Sequence, residues 1–129
     1  MAENSRTAIL VVEDEPLPRL DLVDTLSNAG YEVLEASNAH EALGYLQNGH
    51  RIDVVITDIH LGDDLTGWDV AEKFRAARED IPIIYTSGTA GDRRRRVSGS
   101  VFFRKPLRTW DILKVCRGFG GAAVRQVEH

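Results

Sequence analysis

Four short segments carry the residues able to do chemistry. Glu13-Asp14-Glu15 follows an apolar run ending at Val12. Asp58 closes the run IDVVIT (52–57), Thr86-Ser87-Gly88 stands at the end of IPIIYT (81–86), and Arg104-Lys105-Pro106 follows VFF (101–103). Gathered carboxylates repel one another by about 1–4 kcal/mol per pair near 4 Å in a partly solvated site. A hard cation removes that cost. Oxygen donors with open positions suit Mg²⁺, which keeps waters and leans on substrate phosphates; Mn²⁺ is the alternative. Lys105 adds a fixed positive charge, and the Ser87 hydroxyl a donor for a phosphate oxygen. These parts suit a site where one carboxylate takes up a phosphoryl group as nucleophile.

The elements that must position them are legible from periodicity. Strands are expected at Thr7–Val12, Tyr31–Glu35, Ile52–Thr57, Ile81–Thr86 and Val101–Phe103, mostly as short continuous apolar runs of the kind buried on both sheet faces. The first helix opens around Pro16, carries Leu17, Leu20, Leu22, Val23 and Leu26, and closes at Gly30 in the C′ position. Ser37 or Asn38 caps the second, with Glu41 three residues after Asn38; Asn48-Gly49 stops it. Trp68–Arg78 and Thr109–Arg117 complete the set, with Cys116 as a buried helix residue. Strands alternating with helices imply βαβ units in an open, doubly wound parallel sheet, which binds ligands outside the carboxyl ends of its strands.

Composition narrows the classes. The chain has 129 residues, 43% apolar and 28% charged, which is the profile of one globular domain and excludes disordered or collagen-like chains. No run is long enough to cross a bilayer, the first residues do not read as a secretory signal, and the single cysteine cannot form an internal disulfide, so the cytoplasm is the expected compartment. Net charge is −4 but uneven: residues 1–80 hold 17 acids and 6 bases (−11), residues 81–129 hold 3 acids and 10 bases (+7). The acidic total argues against general nucleic-acid binding. The arginine run Arg93–Arg96 lacks interleaved aromatics and reads as a solvated or partner-facing surface.

Five pieces in order, VVEDEP (11–16), GYEVLEASNAHEAL (30–43), VVITDIHL (54–61), PIIYTSG (82–88) and FFRKPL (102–107), resemble the receiver domain of two-component response regulators. The likeness covers residues 6–118 and leaves 1–5 and 119–129 as flexible termini. It implies a flavodoxin-like five-stranded parallel sheet in the order 2-1-3-4-5. It implies Asp58 as phosphoacceptor, with Glu13, Asp14, Asp58 and the backbone carbonyl of His60 holding the metal. Ser87 falls on the family's switch hydroxyl, Phe102 on its switch aromatic and Lys105 on the lysine that pairs with the phosphoryl group. The implied donor is a sensor histidine kinase or a phosphotransfer protein. Output is expected through contact with a further protein, without direct DNA binding or a membrane, from a monomer or weak dimer.

The sequence departs from the family pattern in four places. Glu13 stands where Asp is commoner, a longer side chain able to reach a metal through water. The loop LGDDLTG (61–67) lacks the usual proline and is slightly longer. The stretch from Ser87 to Lys105 is shorter than usual by roughly one helical turn. PIIYTSGT (82–89) loosely resembles the PFxFATGY type of stand-alone receivers. If the fifth strand takes about 100–104, residues 88–99 must supply two loops, and they include Gly88, Gly91 and Gly99. Glycine costs about 1 kcal/mol inside a helix. The fourth helix of the family is therefore expected to be shortened or irregular, leaving a short, mobile, positively charged face.

Other readings compete. An aspartate-nucleophile phosphatase wants a second acid two residues after its nucleophile, and this chain has His60 there. A scaffold that is never phosphorylated, a phosphate sink, or a receiver belonging to a larger regulator or hybrid kinase would share the same fold. His40 and His50 are surface candidates, and no Cys/His set exists for zinc.

Overall fold

The computed structural model describes residues 6–89 and 93–119. Its elements alternate: β1 (Ala8–Val12), α1 (Pro16–Asn28), β2 (Glu32–Ala36), α2 (Ala39–Gln47), β3 (Val54–Asp58), α3 (Gly67–Ala77), β4 (Ile83–Ser87), β5 (Val101–Arg104) and α4 (Thr109–Gly118). The strands form one parallel sheet in the order β2-β1-β3-β4-β5, as expected for the flavodoxin-like topology. β1, β3 and β4 are buried along their whole length, which is why they read as unbroken apolar runs. Alternate side chains supply two cores. Ile9, Val11, Ile56 and Ile84 meet α1 and α4 on one face. Leu10, Val55 and Tyr85 meet α2 and α3 on the other.

Local chemistry explains the helix ends. Asn38 accepts the Glu41 amide at 2.8 Å, so Asn38 rather than Ser37 is the cap; Glu41 reaches back to the Ser37 amide at 2.7 Å. Thr66 and Asp69 form a reciprocal capping box on α3. Gly30 follows α1 at φ +99°, a conformation that favours glycine.

Two features differ from the sequence-based expectation. β3 and β4 begin two residues later than their apolar runs, because Ile52 and Ile81 are buried ahead of the ladder. Asp58 and Ser87 are therefore the last residues of their strands. On α1, Leu22 and Leu26 are buried while Leu17 and Leu20 are 77% and 53% exposed. At about 100° per residue they lie roughly 140–160° around the helix from Leu22.

Among the described residues no helix lies between β4 and β5. Side chains fasten this connection instead. Arg95 pairs with Asp69 (3.0 Å) and Glu72 (2.7 Å) on α3. The Val97 amide donates to the Tyr85 hydroxyl at 3.0 Å, and Arg96 bonds Ser100. The expected flexible termini, and Gly91 and Asp92 of the connection, lie outside the described residues, except that Phe119 closes α4. No helix among the described residues is long and apolar enough to cross a membrane.

Candidate functional site

The carboxyl ends of β1, β3 and β5 bring three acids and one lysine together. Ligand atoms of Glu13, Asp14 and Asp58 all lie within 4.8 Å of one another. Glu13 and Asp58 are buried and Asp14 is exposed. The Lys105 ammonium donates to Glu13 Oε1 at 2.8 Å and to Asp58 Oδ2 at 3.0 Å. Burial pushes the Glu13 carboxyl above its ordinary range, against the opposing pull of Lys105. Burial alone would lower Lys105, but its bonds to Glu13 and Asp58 outweigh that and raise it.

Several contacts hold this geometry. The β3 ladder carries Asp58 beside Thr86, and the Ile59 amide extends it to the Thr86 carbonyl at 3.0 Å. The Lys105 amide reaches the Ser87 carbonyl at 2.8 Å, fixing the start of the lysine loop. Gly67 opens α3 directly against the site. A Cβ there would stand 2.1 Å from the Asp58 carbonyl oxygen, so only glycine fits. Arg19 donates to the Glu13 carbonyl at 2.8 Å and to Glu35 at 3.2 Å, tying α1 to the acidic turn.

The remaining expected residues sit around this centre. Ser87 is buried at the end of β4, and its hydroxyl accepts the Thr89 amide at 3.1 Å, without a hydrogen bond to the acids. Phe102 is half-buried on β5, its ring 6.3 Å from that of Tyr85, with the Arg93 guanidinium 3.7 Å above it. His60 is exposed on the connection leaving β3. Sequence reasoning missed Arg19 and Arg95, since a charged residue on a helix or in a loop carries no periodic signal of its distant partner. Gly67 carried a faint one, a glycine at a predicted helix start. A second group, His40, Asp63 and Asp64, is fully exposed; His40 bonds Asp64 at 2.9 Å.

The donor set fits a hard divalent cation. It is all oxygen, one member faces solvent, and three carboxylates against one ammonium leave two negative charges unbalanced. A parallel sheet of this order with an acid cluster and a lysine at its carboxyl edge defines a phosphoryl-accepting signalling domain. The chain belongs to the response regulator receiver domain family, whose model matches residues 9–114.

Relatives agree. The chain is 30% identical over 90 residues to the sensor histidine kinase RcsC of Escherichia coli, covering 70% of this chain and 9% of that one. It is 32% identical over 124 residues to a probable transcriptional regulatory protein of Picosynechococcus, covering 88% of this chain and 49% of that one. It thus spans half or less of the length of these relatives. A response regulator receiver protein of Sinorhizobium medicae superposes with a TM-score of 0.82 at 32% identity, covering 86% of this chain and 91% of that one. TrrA of Thermotoga maritima, solved in complex with Mg²⁺ and BeF, gives 0.70 at 32% identity over 86% and 96%.

Proposed function

We propose that Asp58 is the phosphoacceptor of this receiver and that Glu13, Asp14, Asp58 and the His60 carbonyl hold Mg²⁺, or Mn²⁺, beside it. The observation that carries this is Lys105 bonded at once to Asp58 and Glu13, with Asp14 in the same cluster and open to solvent. One Asp58 carboxylate oxygen attacks the phosphorus of a phosphohistidine. The P–N bond breaks, and the imidazole leaves and takes up a proton. A cation held by these residues would neutralise charge on the carboxylates and on the phosphoryl oxygens. Lys105 can turn from Asp58 to a phosphoryl oxygen without leaving Glu13.

The new group brings about −1.5 to −2 charges with strong acceptor oxygens. Ser87 is placed to exchange Thr89 for one of them, and Phe102 to move into the space released, a shift between two packings of one fold. The chain catalyses only its own phosphorylation and dephosphorylation. Its donor is a sensor histidine kinase or phosphotransfer protein and its output a protein contact, both in the cytoplasm, with residues 6–118 as the receiver unit. The chain's similarity to the sensor histidine kinase RcsC supports the donor class.

Intact mass after incubation with acetyl phosphate tests this. A single phosphoryl adduct is expected only with divalent metal, and none in Asp58→Asn. An adduct that persists in that variant assigns the acceptor elsewhere.

A further inference from the structure

Six polar or charged side chains are buried among the described residues: Glu13, Thr57, Asp58, Thr86, Ser87 and Ser100. Five make hydrogen bonds. Lys105 holds Glu13 and Asp58, Thr57 donates to the Asp58 carbonyl, Ser87 accepts from Thr89, and Ser100 donates to the Val97 carbonyl. Thr86 is 3% exposed, and its hydroxyl has no hydrogen-bond partner among the described residues. A buried hydroxyl without a partner is a standing cost that valine, nearly the same shape, would remove.

Thr86 lines a cavity. Thr86 has the parity of Ile84 on β4 and points to the α1/α4 side of the sheet, where a cavity of about 380 Å³ opens between α1 and the β5–α4 connection. The volume falls within the range of small-molecule sites. Val11, Leu22, Ile56 and Leu107 give it apolar walls. The charge at its edge is not balanced. The Lys105 ammonium is committed to Glu13 and Asp58, whereas Asp21 is exposed and its carboxylate has no partner among the described residues. Leu17, 77% exposed, extends the apolar wall outward along α1.

The geometry points to a binding site for a small amphipathic amine: an apolar body against these walls, a hydrogen-bonding group on the Thr86 hydroxyl, and an ammonium at Asp21. The site is separate from the acid cluster although the two share Lys105 and Glu13 as a common edge, and it stands whether or not Asp58 is the acceptor.

Four probes of closely similar shape test it: tyramine, its neutral analogue 4-hydroxyphenethyl alcohol, its acidic analogue 4-hydroxyphenylacetate, and phenethylamine. They are titrated against the full chain and followed by amide chemical shifts. Tyramine should shift residues of α1, the end of β4 and the 105–109 connection, and bind about tenfold more tightly than the acid. Asp21→Asn should remove most of that preference. Thr86→Val should raise Tm yet weaken tyramine several-fold, while leaving phenethylamine, which lacks the phenol, nearly unchanged. No shifts at millimolar probe overturn the site. Equal binding of amine and acid overturns the Asp21 role. Unchanged tyramine affinity in Thr86→Val means that water satisfies the hydroxyl, and overturns the Thr86 role.

Discussion

Replacing Lys105 with methionine isolates what the lysine does for the resting protein. The side chain is 22% exposed and those of Glu13 and Asp58 are each 7% exposed. Methionine keeps the apolar stem and removes the ammonium, with its charge and its hydrogen bonds to Glu13 and Asp58. Two carboxylates then face one another within 4.8 Å. Their repulsion at that separation is about 1 kcal/mol in bulk water and about 3.5 kcal/mol at an effective dielectric of roughly 20. In the parent Lys105 offsets that repulsion; the variant leaves it uncompensated and should lose stability of that order at pH 7.5 without divalent metal. Burial already raises the Glu13 carboxyl in the folded protein. A raised acid binds more protons folded than unfolded, so its unfavourable contribution grows as pH rises and fades as pH falls through the folded pKa. Removing the lysine strengthens both effects, so the stability gap should narrow as pH falls.

Magnesium should also close the gap. A ligand at a hundred times its Kd stabilises by about 2.7 kcal/mol. The variant, freed of a competing ammonium, should bind the cation more tightly than the parent. Urea midpoints at pH 5.5 and 7.5, with and without Mg²⁺, read all of this. A Lys105→Met protein as stable as the parent at pH 7.5 without metal would refute the charge reasoning. So would a loss that is equal at both pH values and unrecovered by Mg²⁺.

Two further outcomes are expected. Gly67→Ala places a methyl 2.1 Å from the Asp58 carbonyl oxygen; overpacking of this kind costs about 1–3 kcal/mol or more, and both Tm and Mg²⁺ affinity should fall, so a variant with parental values of both contradicts the close approach of α3 to Asp58. The hydrogen bond to Asp64 raises His40 above its ordinary value and lowers Asp64, so the pair stabilises between those two values and is lost as pH rises through the His40 pKa or falls through that of Asp64; an imidazole NMR titration should show Asp64→Asn returning His40 toward 6.5, and an unchanged midpoint would show the pair to be open in solution.

The residues that announce themselves in this sequence obey local rules. Buried parallel strands need continuous apolar runs, so β1, β3 and β4 are visible, and in an open sheet the site lies at their carboxyl ends. That rule alone puts Glu13, Asp58 and Lys105 on one edge. Periodicity fails where burial continues beyond the ladder: Ile52 and Ile81 look like strand residues because they are buried like them. It fails again on α1, where Leu17 and Leu20 are apolar yet face outward. A three-residue step drifts about 60° around the helix, so Leu20 and Leu17 stand roughly 120° and 180° from Leu26.

The connection between β4 and β5 shows where local rules end. Its glycines and like charges argue against a full helix, and among its described residues there is none. They could not say what replaces one, because the answer depends on residues distant in sequence. Asp69 caps α3 through Thr66 and also receives Arg95, 26 positions away. α3 starts at Gly67, against the Asp58 carbonyl. The arginine run, which in isolation resembles a solvated patch, is thus anchored to the same helix end that packs on the phosphoacceptor candidate. Arg93, two positions earlier, covers Phe102. Contacts thus run from Asp58 to Gly67 by close packing, from Gly67 to Asp69 along the chain, and from Asp69 to Arg95 by an ion pair. The last of these links is an exposed ion pair, so coupling through it should weaken with salt, because such pairs are screened.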